Sequence, residues 1–354
     1  MELFHAHHQW ANRPDDERFS TLAEMYDVTK RYHDSAREKA VDWSALRLQA
    51  AGDDLSIVGE AGVGAKVTHY AFGQLCRKLD APASFLRDLP ATLAAQNLNH
   101  RLKTRAEGRA NLLFHQNGSL VLRAATSEVY SRIWNYEVVA RLMETADRNG
   151  LVPAKSTFRT FDPNEKPALY ASDHDMFAFM MSQAREVTGP LGERLFRGVI
   201  VVNSEVGDGS LKIIAFLFRE ICGNHIIWDA SEIAEIRLIH VGKVRQRWSE
   251  VQARVRHYMD GAASLEEASF VEYRRQIAGT KDDVLDAVFG KRIAGLSRRV
   301  AEKAYDAVVV EEDGDPRTKW GFAQGLTRIS QDTSFADVRT DLDRAAGKVL
   351  AANF

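Results

Sequence analysis

The chain has 354 residues, 45% hydrophobic and 27% charged, with a formal net charge of −2. This balance excludes disorder throughout and a uniformly basic, chromatin-like nucleic-acid binder. No stretch reaches the roughly 20 apolar residues of a membrane span and residues 1–19 lack a basic start followed by an apolar core, so a cytoplasmic protein without a membrane partner is expected.

Residues 1–66 read as an N-terminal extension, with charged helical pieces over Leu22–Ala40 and a strand candidate at Leu55–Val58. The extension ends in Gly59-Glu60-Ala61-Gly62-Val63-Gly64-Ala65-Lys66, which is similar to a phosphate-binding loop. Ala65 separates the last glycine from Lys66, however, and Val67 stands where Ser or Thr belongs, so the segment reads as a connection to a helix capped by Thr68. That helix puts Phe72, Leu75, Cys76 and Leu79 on one face and, with LPATLAAQNLNHRL, makes a small helical unit ending near 106. Cys76 and Cys222 are the only cysteines and neither sits in a Cys-x-x-Cys, which excludes a disulfide framework and a cysteine zinc site.

Asn117-Gly118 between LLFHQ and SLVLRA predicts a two-residue hairpin turn with both residues at positive φ. Asn135 is expected to cap a helix with Val138, Val139, Leu142, Met143 and Ala146 inward, stopped by Asn149-Gly150. Ser156–Phe161 and Ala168–Tyr170 follow as strand candidates. The segment 198–228 reads as three strands: Val199–Val202, a turn at Gly207-Asp208-Gly209, Leu211–Cys222 apolar on both faces, and a reversal at Gly223-Asn224 into His225–Trp228. From Trp248 onward the pattern is helical, with Thr280 and Ser334 as caps. The predicted fold class is α+β: a mainly antiparallel central sheet with packed helices over 67–247, followed by a helical C-terminal region over 248–354.

Several motifs in this order carry a family likeness: AFGQLCRKLDAPASFLRDLP with NLNHRL, LRAATSEVYSRIWNYEVV, LYASDHDMFAF, VVNSEVGDGSLKIIAFLFREICGNHIIW, and TKWGFAQGLTRISQ with AAGKVL. Over about 68–350 the chain resembles domain-of-unknown-function family 932, a prokaryotic family met on phages and plasmids. The resemblance implies a mobile-element context, in which replication, recombination and host takeover are common tasks. It brings no catalytic residues with it.

Charge is unevenly distributed. Arg101, Lys103, Arg105, Arg109, Arg123 and Arg132 stand against Glu107 and Glu128, and Lys243, Arg245 and Arg247 belong to a second basic stretch. With Tyr130, Trp134 and Trp248 interleaved, these residues offer the phosphate contacts and stacking faces that single-stranded DNA binding uses. The leading expectation is therefore a single-stranded nucleic-acid-binding protein of a phage or plasmid, acting in recombination, annealing or replication as a homo-oligomer. One alternative is a regulator that binds a host protein. The other is a metal-dependent enzyme with a polar site at the strand ends, built from Asp173, Asn203, Glu205, Asp208, Asn224 and His225, with His174 and Asp175 beside them. No fixed-spacing catalytic or metal signature accompanies these residues, so no catalytic residue, metal ligand or cofactor is assigned, and His5, His7 and His8 read as chain terminus.

Overall fold

The computed structural model describes residues 17–58, 64–105, 107–117, 119–154, 168–172, 174–219, 225–227, 235–240, 247–261, 270–293, 296–311, 314–331 and 336–354. In chain order, β1 (Arg18–Phe19) and α1 (Leu22–Asp34) precede β2 (Ala36–Asp42), β3 (Arg47–Ala51), β4 (Asp54–Val58) and β5 (Gly64–Val67). Helices α2 (His69–Lys78), α3 (Ala83–Asp88) and α4 (Ala91–Arg105) lead to β6 (Arg109–Asn117), β7 (Ser119–Ser127) and α5 (Asn135–Asn149). Next come β8 (Leu151–Pro153), β9 (Leu169–Ala171), β10 (Met176–Thr188), β11 (Arg194–Asn203), β12 (Leu211–Arg219), β13 (His225–Ile227) and β14 (Glu235–Leu238). The remaining elements are helical: α6 (Trp248–Asp260), α7 (Lys281–Gly290), α8 (Arg298–Glu311), α9 (Lys319–Gln331) and α10 (Ala336–Ala351). The class is α+β, as the periodicities predict, and none of the described helices is long and apolar enough to cross a membrane.

Two sheets organise the molecule. The larger has eight strands, running β1-β9-β10-β11-β12-β13 with β8 also on β10 and β14 also on β12, every pair antiparallel. Its central strands are covered on both faces, which is why their sequences are continuously apolar. Val199, Val201, Ile213 and Ala215 pack under Met25 of α1, Val138 and Leu142 of α5, and Val251 and Val255 of α6. Phe179, Phe196, Ile200, Ile214 and Phe216 form a separate core on the opposite face. Buried Arg197 of β11 donates to the carbonyls of Tyr258, Met259 and Gly261, so its charge meets the partly negative C-terminal end of α6 and anchors that helix. The C-terminal helices close over their own core around Trp320, Phe322, Leu326, Val284 and Val288, which Leu195 and Leu217 of the large sheet join.

The smaller sheet has six strands in the order β2-β6-β7-β5-β4-β3, and only β5–β7 is parallel. Phe72, Leu75, Leu98 and Leu102 of α2 and α4 cover one face, meeting Leu48, Leu55, Ile57, Val67, Leu112 and Leu122. Cys76 is buried there as a free thiol whose pKa burial pushes up to about 11. Strand β7 runs past the end of β5, and its exposed edge is closed by α2: the Thr68 N–H donates to the Leu122 carbonyl at 3.1 Å, and the Ala125 N–H donates to Gln74 Oε1 at 2.8 Å.

Several local expectations need adjustment. Helix α1, held by a Thr21–Glu24 capping box, stops at Asp34, and residues 36–42 form a strand instead of continuing it. Lys66 lies inside β5, paired across to Ser56 and 2.7 Å from Asp54, so it does not open a helix as a phosphate-loop lysine does. Strands β6 and β7 pair as a hairpin, but Asn117 is still a strand residue opposite Ser119; Gly118 lies outside the described residues. Helix α5 begins one residue earlier than expected, with Trp134 at the N-cap and Asn135 as its first turn, and it does end at Gly150 in the left-handed region. The candidates Ser156–Phe161 and Ser334 lie outside the described residues.

Phe216 is fully buried, and a Cβ added at Gly198, its partner on β11, would come within 2.5 Å of the Phe216 ring and of the Met180 carbonyl. Phe216→Ala is expected to cost about 3–5 kcal/mol by urea denaturation. Gly198→Ala should also destabilise, and the double variant should lose less than the two changes summed, because the vacated ring space takes part of the new methyl.

Candidate functional site

The end of β11 delivers the segment Asn203-Ser204-Glu205-Val206-Gly207-Asp208 against the small sheet, and there the sequence-predicted strand-end residues acquire partners. Glu205 turns inward. One carboxylate oxygen accepts Arg123 Nη2 at 3.1 Å, the other accepts the Asn135 backbone N–H at 2.7 Å, and the two ionised side chains are 1% and 2% exposed. The carboxylate thus sits at the N-terminus of α5, where the helix dipole favours it. Arg132 donates to the Glu205 carbonyl and, through Nε at 2.7 Å, to Glu38 of β2, while its guanidinium lies over the rings of Tyr130 and Trp134. Asn203 donates to the Ile133 carbonyl at 3.0 Å and to Asn135 Oδ1 at 2.7 Å, which explains why Asn135 is not spent on capping.

Tyr130 and His240 stack beside this pair, with ring centroids 5.1 Å apart. The Tyr130 hydroxyl, kept protonated by burial, donates to the Ser204 carbonyl at 3.1 Å; the 2.7 Å contact with His240 is then a bond donated by imidazole Nδ1–H. Burial first, and the nearby Arg132 cation second, push the His240 pKa down to about 4, so the ring is neutral near pH 7.

A third group lies at the mouth of the seam. Nε2 of His174 is 3.5 Å from Asp208 Oδ2; the imidazole is 3% exposed and the carboxylate 43%. The Tyr70 ring meets His174 edge-on at 4.3 Å. Burial, reinforced by the Asp208 carboxylate, raises the Tyr70 pKa and keeps the phenol a donor. Ser204 Oγ ties the two halves, donating to the His174 carbonyl at 2.8 Å and accepting the Asp208 N–H at 3.2 Å. Gln74 fastens the loop to α2 by donating to the Val206 carbonyl at 2.7 Å.

A separate feature is a cationic end on the small sheet and its helices. Lys78 at the end of α2 stands over the Trp43 ring, and the Trp43 N–H donates to the Gly108 carbonyl. Arg109 opens β6 at 3.7 Å from Asp42, Arg47 opens β3, and α4 packs on the turn at 43–45 with Arg101 and Lys103 near its C-terminus. Five cations, Arg47, Lys78, Arg101, Lys103 and Arg109, thus come to this end from four elements, with Asp42 beside Arg109.

The basic and aromatic residues singled out in the sequence are thus divided. Arg101, Lys103 and Arg109 lie at the cationic end, whereas Arg123, Arg132 and Trp134 are buried in the seam and Tyr130 is half-buried against His240. Arg247 is exposed and paired with Glu250 at 3.2 Å, and Trp248 is half-buried against the large-sheet core. Asn203 and Glu205 both meet Asn135, whereas Asp208 lies apart against His174. The side chain of Arg105, residues Lys243, Arg245, Asp173 and Asn224, and the side chain of His225, whose backbone begins β13, lie outside the described residues. Sequence reading missed Arg47, Lys78, Glu38, Tyr70, Gln74 and His240, whose roles come from strand pairing and helix docking across distant parts of the chain. No family profile, curated protein or solved structure matches the chain.

With the His240 pKa near 4 in the fold, against its ordinary value near 6.5, the unfolded chain takes up this proton first as pH falls. Its contribution is complete above about pH 6.5 and is lost progressively toward pH 4, up to roughly 3 kcal/mol. Urea midpoints at pH 7 and pH 5 should therefore diverge less in His240→Asn than in the parent protein.

Proposed function

We propose that the protein binds single-stranded nucleic acid through its cationic end, in the replication or recombination of a mobile element. The observation that carries this reading is the convergence of Arg47, Lys78, Arg101, Lys103 and Arg109, brought from α2, β3, α4 and β6 to one end of the small sheet. Among the described residues several other surface cations are held by close carboxylates, as Lys281 by Asp306, Arg298 by Asp286, Arg317 by Asp315 and Arg185 by Asp260, whereas at the cationic end the ion pair of Arg109 with Asp42 is long, 3.7 Å. A guanidinium or ammonium whose acid partner is distant retains charge for a phosphate. The mobile-element context rests on the resemblance of the sequence motifs alone to a phage- and plasmid-associated family. Binding through these residues is contact with the phosphate backbone, so it carries little base preference. Homo-oligomer formation belongs to this reading as well.

Stacking through Trp134 leaves the argument, because that ring is 8% exposed and lies under the Arg132 guanidinium. Trp134→Ala is expected to lower stability, without the selective affinity loss of a base-stacking residue. With about five phosphates neutralised, raising salt from about 50 to about 200 mM should weaken binding roughly a hundredfold. Arg101→Glu with Arg109→Glu should reduce the log–log salt slope by about 1.4 and weaken all sequences alike. Fluorescence anisotropy with a labelled single-stranded oligonucleotide measures both. Absence of binding at tens of micromolar in low salt rejects the function, and an unchanged slope in the double variant rejects the location.

A further inference from the structure

We propose that His174 and Asp208 form a binding site for a divalent cation of the zinc class, with Tyr70 packed against the imidazole. The spacing is the first reason. Two ligands at 2.0–2.1 Å from a tetrahedral zinc lie about 3.3 Å apart, and Nε2 of His174 stands 3.5 Å from Asp208 Oδ2. That separation exceeds the 2.7–3.2 Å range of a good N–H···O hydrogen bond.

The second reason is the way the pair is held. The imidazole is buried directly beside a carboxylate that reaches solvent. Ser204 Oγ bonds the backbones of both residues, and the preceding Gly207 has φ +85°, a conformation other side chains rarely adopt. A Cβ at Gly207 would sit 3.4–3.6 Å from Thr126, Tyr130 and Gln74, so the loop rests directly on the small sheet and α2. The Tyr70 ring, edge-on against His174 at 4.3 Å, holds the imidazole from the side of α2.

The donor set decides the class of ion. One imidazole nitrogen and one carboxylate oxygen suit zinc, cobalt or nickel better than calcium or magnesium, which take oxygen cages. Among the described residues no three of His, Cys, Asp and Glu converge on one point, so the protein supplies two ligands and water completes the coordination.

Because closely spaced histidines can take up Zn²⁺ on their own, the test uses the full chain with His5, His7 and His8 changed to alanine. Titration calorimetry with Zn²⁺ should give one cation per chain at a Kd below about 100 µM, undisturbed by a hundredfold excess of Mg²⁺. Asp208→Asn, at a half-exposed position, should abolish this binding while leaving the thermal melt in place; His174→Gln should do the same and remove the visible absorption of bound Co²⁺. A Kd above about 1 mM, or Zn²⁺ binding unchanged in a folded Asp208→Asn protein, overturns the proposal.

Discussion

The two sheets meet through one buried ion pair, Arg123 with Glu205, and the surrounding polar network depends on its being satisfied. Removing two charges from water costs several kcal/mol each, a cost met only when geometry is good and the remaining hydrogen-bonding positions are filled. Here the Asn135 N–H fills the second carboxylate oxygen, and Arg132 secures the Glu205 carbonyl. A pair of this kind is a weak source of net stability but a strong discriminator. Sliding the loop of 204–208 by one residue along β7 would leave a guanidinium and a carboxylate buried without each other. The ion pair therefore sets the register between the sheets, and the apolar contacts of Leu113, Ala124, Trp134 and Val206 around it provide the adhesion.

The same pair explains what sequence reading could and could not reach. The strands were legible because the period-two and continuous apolar patterns of 109–127 and 199–219 depend only on near neighbours. Arg123 was not. Leu113 pairs with Ala124 and Phe114 with Leu122, so Arg123 is the extra residue of a bulge in β7. An arginine between Leu122 and Ala124 reads as outward-facing and solvated, and the bulge instead re-aims it into the seam. Asn203, Glu205 and Asp208 were recognisable as polar residues at a strand end, yet their separate roles were not, since Glu205 is fixed inward by Arg123 and Asp208 outward beside His174. Nothing in the spacing of Glu38, Tyr70, Gln74 and His240 announces that they meet a loop far away in the chain.

Sheet edges show a consistent logic. Beyond β5, the edge of β7 is occupied by Thr68 and Gln74, and the β3 edge is engaged by Asn99 of α4, which accepts the Leu48 N–H at 2.8 Å and donates to the Leu48 carbonyl at 2.7 Å. Among the described residues strand β2 pairs only with β6, and it carries Arg37, Glu38 and Lys39. Two copies of β2 joined antiparallel across a two-fold axis would set Lys39 against Lys39 in the full register. The neighbouring registers oppose Arg37 to Lys39, or Glu38 to Asp42. Like charges directly across a ladder disfavour pairing, so charge alone protects this edge from its own copies.

Helix α2 links the seam to the cationic end. Tyr70 in its first turn touches His174, Gln74 in its middle joins Ala125 to Val206, and Lys78 at its end stands over Trp43. Eight residues at 1.5 Å per residue separate the two ends by about 12 Å along the axis. Because Gln74 bonds β7 with one end of its amide and the 204–208 segment with the other, α2 could rotate only by exposing two buried backbone groups, each costing about 1–3 kcal/mol. That penalty makes α2 a rigid spacer: the seam and the cationic end keep a fixed separation, and each presents its chemistry through side chains already in place.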